Sequence, residues 1–110
     1  MEIDISGGHF QVTEPLRQYI LEKVEKLEKY SKKLEMIHVV LEVQKFHHLA
    51  EITALGKHLR LAAKEENADM YAAFDESFGN IQLQLRKVHE KLKDHKARRY
   101  GIKAKEEKPA

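Results

Sequence analysis

The chain has no cysteine, no tryptophan and only two prolines among its 110 residues. Without cysteine, neither a disulfide nor a thiolate-held metal contributes to the fold, which fits a reducing compartment. Without tryptophan, and with four phenylalanines and four tyrosines, there is little material for an aromatic platform that stacks successive single-stranded bases. No apolar run approaches the roughly 20 residues that span a bilayer. The opening residues Glu2 and Asp4 are acidic, where a secretory signal would be basic and then apolar. The expectation is a soluble, unprocessed, cytoplasmic protein with no membrane partner.

The motifs of common chemistries are missing as well. Ser6, Ser31 and Ser77 lack a nucleophile-elbow glycine context, and the paired carboxylates Glu65-Glu66 stand at a strand-to-helix junction. Gly7-Gly8 precedes a helix, but no G-x-G-x-x-G or P-loop follows, so no nucleotide cradle is expected. His47-His48 with His58 invites a metal, yet adjacent histidines on a turn rarely converge on one ion, and no helical H-x-x-x-H pair is present. No catalytic residues, metal, cofactor or small-molecule substrate are expected.

What is present is a clear alternation of periods. Ile3 and Ile5 alternate with Glu2, Asp4 and Ser6, a half-buried strand ended by Gly7-Gly8. Thr13 then caps a helix with Glu14 and Pro15 in its first turn, and Leu16, Ile20, Val24 and Leu27 form an apolar stripe reaching about Tyr30. From Met36 the period drops to two, with Ile37, Val39, Leu41 and Val43 on one face. A turn at 45–48, a strand at 49–55, a tight turn at Gly56-Lys57 and a strand at 58–64 complete three antiparallel strands, and 65–67 breaks the pattern. Met70, Phe74, Phe78, Ile81, Leu85, Val88 and Leu92 then mark a long helix, in which Gly79 suggests close approach to another element. The predicted fold is α+β with order β-α-β-β-β-α: a four-stranded sheet with two helices packed on its apolar face. The first strand joins by a right-handed crossover through the first helix. A domain over 1–95 is followed by a flexible basic tail over 96–110.

Charge is distributed unevenly along this order. Residues 86–105 carry nine basic side chains against two acidic, a net of +7, whereas residues 1–85 carry ten basic against fourteen acidic, a net of −4. A condensed positive segment on a neutral-to-acidic body points to a polyanionic partner. Lys23, Lys26 and Lys33 lie along one flank of the first helix with Lys29 adjacent, while Lys87 and Lys91 occupy the corresponding flank of the second and Arg86 and Lys93 its other flank. Side-by-side helices would then border a positive groove for a phosphate backbone. The competing reading is a solvated face laced by the i,i+4 pairs Glu22–Lys26 and Glu25–Lys29, worth about 0.3 kcal/mol each.

Four segments carry a family resemblance: Ile3-Asp4-Ile5-Ser6-Gly7, Val12-Thr13-Glu14-Pro15-Leu16-Arg17, Lys26-Leu27-Glu28-Lys29-Tyr30 and, most specific, Asp69-Met70-Tyr71-Ala72-Ala73-Phe74-Asp75. Over residues 1–95 the chain resembles the ribosome hibernation promoting factor and ribosome-associated inhibitor family, also described as sigma-54 modulation proteins. The resemblance implies a fold similar to double-stranded RNA-binding domains and a protein that acts without catalysis. Such a protein binds rRNA in the decoding region of the small ribosomal subunit and blocks the mRNA and tRNA sites in stress or stationary phase. It also implies RNA contacts at Lys23, Lys26 and Lys29 and at Lys87 and Lys91. Asn80 and Leu83 stand where family members often carry Lys and Arg, and Arg86, Arg98 and Arg99 are placed to restore that charge. Residues 96–110 are too few for the dimerisation domain of long family members, which implies a short or inhibitor-like form, or a piece of a longer one, monomeric when free. Two other functions stay open on the sequence: a protein-interaction modulator of a transcription factor, and a general double-stranded RNA-binding domain. Whether such a protein pairs ribosomes or only inactivates single ones is left open too.

Overall fold

The computed structural model describes residues 1–98 other than His9, Ser31 and Lys33, with side chains described as far as Glu90. Strand β1 (Glu2–Gly7) leads to helix α1 (Glu14–Val24), which tightens into a 3-10 segment (Glu25–Tyr30). Strands β2 (Met36–Gln44), β3 (His47–Gly56) and β4 (Leu59–Asn67) follow, and helix α2 (Met70–Arg98) comes last. The sheet order is β1-β2-β3-β4. β1 lies parallel to β2, as a strand-helix-strand crossover demands, and the other two pairs are antiparallel hairpins.

Register brings the apolar positions into rows. Ile5 pairs with Val39, Val39 with Ile52 and Ile52 with Ala63, so one row crosses all four strands on the face under the helices. Leu16, Ile20, Val24 and Leu27 from the first helical stretch, and Met70, Phe74, Phe78, Ile81 and Leu85 from α2, close over that face. Phe74 is the largest fully buried side chain. α2 crosses β3 and β4 and touches α1 alongside. Small residues, Ala50, Ala54 and Ala63, stand beside Ile52 on the strands that α2 covers, and α2 brings Ala73 and Ser77 into the core. The buried Ser77 hydroxyl donates to the Ala63 carbonyl at 2.8 Å, so a polar helix residue costs nothing at this close contact.

Both helix starts follow capping logic. Thr13 Oγ1 accepts from the Leu16 amide at 3.4 Å, with Pro15 in the first turn. Asp69 Oδ2 accepts from the Ala72 amide at 3.0 Å, and Asn67 Oδ1 accepts from the Asp69 amide at 3.1 Å.

The structure departs from the sequence expectations in six places. The first helix stays α-helical only to Val24. The β2–β3 turn is two residues long, Lys45-Phe46, with Lys45 at φ 52°, so β3 begins at His47. The next turn is Lys57-His58, with His58 at φ 64°, while Gly56 pairs with Leu59 as part of the ladder. β4 continues through 65–67 because its two carboxylates find partners: Asn80 Nδ2 donates to Glu65 at 3.0 Å and His47 pairs with Glu66 at 2.6 Å. A Cβ placed on Gly79 would meet nothing within 4 Å, so this glycine marks no close approach. Gly7 is the glycine that does: a Cβ there would overlap the Phe10 carbonyl oxygen. The backbone of α2 runs to Arg98, three residues into the segment expected as tail, and the rest of 96–110 lies outside the described residues.

Candidate nucleic-acid interface

α1 and α2 run in the same direction across the sheet, and three sets of contacts fix their phase. Tyr19 meets Tyr71 edge-on at 5.0 Å between ring centroids and Phe74 at 6.1 Å. Lys23 Nζ lies 5.6 Å from the Tyr19 ring centre and 6.0 Å from that of Phe78. Further along, Tyr30 meets His89 edge-on at 5.6 Å. The Tyr19 hydroxyl donates to Asp75 Oδ1 at 2.7 Å, tying the helices together across their seam. That hydrogen bond, then burial, then the negative charge of Asp75 push the Tyr19 hydroxyl up to about 12 from its usual 10.0. The motif from Asp69 to Asp75 is thereby accounted for: Asp69 caps, Met70, Ala73 and Phe74 are buried, and Tyr71 and Asp75 engage Tyr19.

The 3-10 segment sets the geometry of the basic groups. In a 3-10 helix residues i and i+3 eclipse, whereas residues four apart are turned away from each other. Lys23 at the end of α1, then Lys26 and Lys29, therefore fall into one row. Lys23 points at α2, so the row lies on the α2 side, with Lys26 and Lys29 exposed. Lys29 Nζ sits 5.5 Å from the Tyr30 ring centre. The Glu22–Lys26 and Glu25–Lys29 ion pairs expected for an α-helix are not formed; among the described residues the carboxylate contacts with basic side chains are His38–Asp4 at 2.8 Å and His47–Glu66 at 2.6 Å. Among the described residues, no lysine or arginine side chain donates a hydrogen bond within the chain.

Only part of the expected groove is assembled. Gln84 Nε2 donates to the Ala62 carbonyl at 3.0 Å and to Asn80 Oδ1 at 2.8 Å, and Asn80 reaches Glu65, so this flank of α2 faces β4. Lys87, one turn beyond Gln84, continues that β4-side flank, exposed and away from α1. The flank that borders α1 holds His89 and, one turn before it, the exposed Arg86. The cations facing each other across the helix seam are thus Lys26 and Lys29 with Arg86, where Lys87 was expected. The phase of α2 is set by the strands it covers, which periodicity does not reveal. Lys23 belongs to the seam itself, half-buried between two rings. The side chains of Lys91, Lys93 and Arg98 fall outside the described residues although their backbone is in α2, and Lys33 and Arg99 fall outside altogether.

Of the two positions where family cations are replaced, Asn80 is tied into the β4 flank, and Leu83 is 42% exposed on the outer face of α2. Tyr19 and His89, which with Tyr30 position the cations, were not singled out from the sequence; Tyr30 is marked as the end of the apolar stripe by the spacing of three from Val24 to Leu27 to Tyr30. His47 and His48 lie on opposite faces of β3 and His58 beyond its far end, and among the described residues no group of three or more His, Asp or Glu is arranged to hold a metal. No helix among them is long and apolar enough to cross a membrane.

Known proteins share this sequence pattern and this fold. The chain is 36% identical over 95 residues to the ribosome hibernation promoting factor of Escherichia coli (strain K12), covering 86% of this chain and 100% of that protein. It is 37% identical over 91 residues to the protein of the same name from Pseudomonas putida, covering 83% and 89%. The Protein Y N-terminal domain of Thermus thermophilus superposes with a TM-score of 0.73 at 28% identity, over 80% of this chain and 99% of that one. A ribosomal subunit interface protein from Coxiella burnetii shares the fold, with a TM-score of 0.75 at 20% identity over 81% and 98%. Residues 3–93 match the family described as Sigma 54 modulation protein / S30EA ribosomal protein, and with relatives this similar along nearly their whole length, the chain belongs to that family.

Proposed function

We propose that this protein is a ribosome hibernation factor: a cytoplasmic, non-enzymatic inhibitor of translation. It binds rRNA in the decoding region of the small ribosomal subunit and occludes the mRNA and tRNA sites during stress or stationary phase. The observation that carries this reading is a set of exposed cations on the helix layer that, among the described residues, make no contact with a carboxylate of the chain. Lys26, Lys29, Arg86 and Lys87 are exposed there and hold no partner within the chain among the described residues. Cations without internal partners, set on rigid helical backbone, keep their charge for an external polyanion and bind without rearranging the fold. The names of the curated relatives, ribosome hibernation promoting factors, supply the polyanion. Inhibition by this route needs no chemical step, since filling the site excludes the substrates.

Co-sedimentation with small subunits across a salt series tests it. Four phosphate contacts, each contributing about −0.7 to −0.9, give a log–log slope near −3, and contacts from beyond Glu90 steepen it. A slope near zero would contradict phosphate binding. It would favour a protein partner, the kind suggested by sigma-54 modulation in the family's description.

A further inference from the structure

The turn joining β2 to β3 is not used by this reading. Gln44 pairs with His47, so Lys45-Phe46 is the whole loop, projecting beyond the last rung of the ladder. Phe46 is 86% exposed, the most exposed large apolar side chain among the described residues. Lys45 holds φ at 52°, a conformation that turn chemistry ordinarily gives to Gly or Asn. The tip therefore carries strain and an unburied ring without any return in core packing.

Its surroundings say what such a ring meets. Gln44, Lys45 and His47 around it are exposed and polar, so no apolar rim exists of the kind that seals an aromatic anchor into a protein pocket. The run from Lys45 to His48 has no carboxylate; the next ones lie one row in, Glu42 on β2 and Glu66 on β4, the latter held by His47 at 2.6 Å. One cation beside one ring with clear faces is the pattern of a backbone contact coupled to base stacking. The tip also lies at the sheet end from which α1 and α2 both start, while the row of Lys26 and Lys29 lies past the far end of the eleven-residue α1. Phe46 is thus outside the helix-seam surface and would be a second, separate contact.

Building on the ribosome-binding reading, we infer that Phe46 stacks on an unpaired base of ribosomal RNA, with Lys45 on the adjoining phosphate, anchoring the end of the molecule opposite the basic row. The chain has no tryptophan, so Phe46→Trp installs a single fluorophore at the contact. The experiment measures binding of purified small subunits to the wild type, F46W, F46L and F46A, after thermal unfolding has shown the variants equally folded. Stacking predicts that F46W keeps wild-type affinity with its emission quenched on binding, and that F46A and F46L both bind about 5- to 100-fold more weakly. F46L binding like the wild type would place the ring in an apolar protein pocket and overturn the inference. Unchanged affinity in all variants would overturn it too, leaving the parent reading intact. Failure of the wild type itself to bind small subunits would remove both.

Discussion

Around the starts of α1 and α2, the fold ties several carboxylates down. Asp75 accepts from Tyr19, Glu76 from Asn67, Glu65 from Asn80, and Asp69 closes the first turn of α2. Further along the same pair, past Val24, Lys26, Lys29 and Arg86 are exposed and, among the described residues, take part in no ion pair or side-chain hydrogen bond, and the contact between the elements is Tyr30 against His89. Both regions sit on one hydrophobic core, so the difference is not one of burial. A short carboxylate next to a hydroxyl or amide gains a directional hydrogen bond, whereas a lysine on a long stem, kept out of ion pairs by 3-10 geometry, retains its full charge. The first region builds the layer, and the second presents charge on it.

Exchanging the properties of the two regions gives the sharpest test of that contrast. Lys26→Glu with Lys29→Glu is expected to weaken small-subunit binding by about 100-fold at low salt and to flatten the salt slope by at least about 1.5, measured by co-sedimentation. The same protein should unfold within about 1 kcal/mol of wild type, because both side chains are exposed and their one contact with the core is Lys29 over the Tyr30 ring. Asp75→Ala is the converse: about 1 kcal/mol lost in denaturant unfolding with the Tyr19 hydroxyl left without its acceptor, and binding within twofold of wild type. If Asp75→Ala weakened binding as strongly as the lysine reversals, the division into a building region and a presenting region would be wrong.

Two smaller effects refine the building side. Tyr19 has its folded pKa raised to about 12 against 10.0, so the neutral hydroxyl is the form the fold favours. Its contribution is complete below pH 10 and is lost as pH rises toward 12, giving a fall in stability over that window that Tyr19→Phe should remove. Gly79→Ala should raise stability by about 0.5 to 1 kcal/mol in thermal or urea unfolding, since a methyl there meets open space and helix propensity alone decides. A destabilised Gly79→Ala protein would mean that the outer face of α2 is more crowded than it looks.

Much of this was legible before the structure. The alternation of Ile37, Val39 and Leu41 and the seam from Met70 to Leu85 gave strands and helix with the correct buried faces, because burial on one face is what such periods encode. The basic residues were legible as candidates for the same reason: their identities alone state their charge. Less legible were the hairpin lengths. Lys45 and His58 take positive φ without the Gly or Asn that announces it, and Glu65 and Glu66 read as a break until their partners, Asn80 and His47, are brought beside them from elsewhere in the chain.

The sequence by itself determined the element order, most residues of the core, the capped start of the first helix and the separation of basic from acidic segments. All of these follow from local spacing and side-chain chemistry. Only the tertiary structure decided which cations share a surface. The switch of the first helix to a tighter winding put Lys26 and Lys29 in line with Lys23, and the seating of α2 over β3 and β4 turned Arg86 rather than Lys87 toward them. The phase of a helix about its own axis is fixed by what it packs against, and that information lies in distant strands, not in the helix's own sequence.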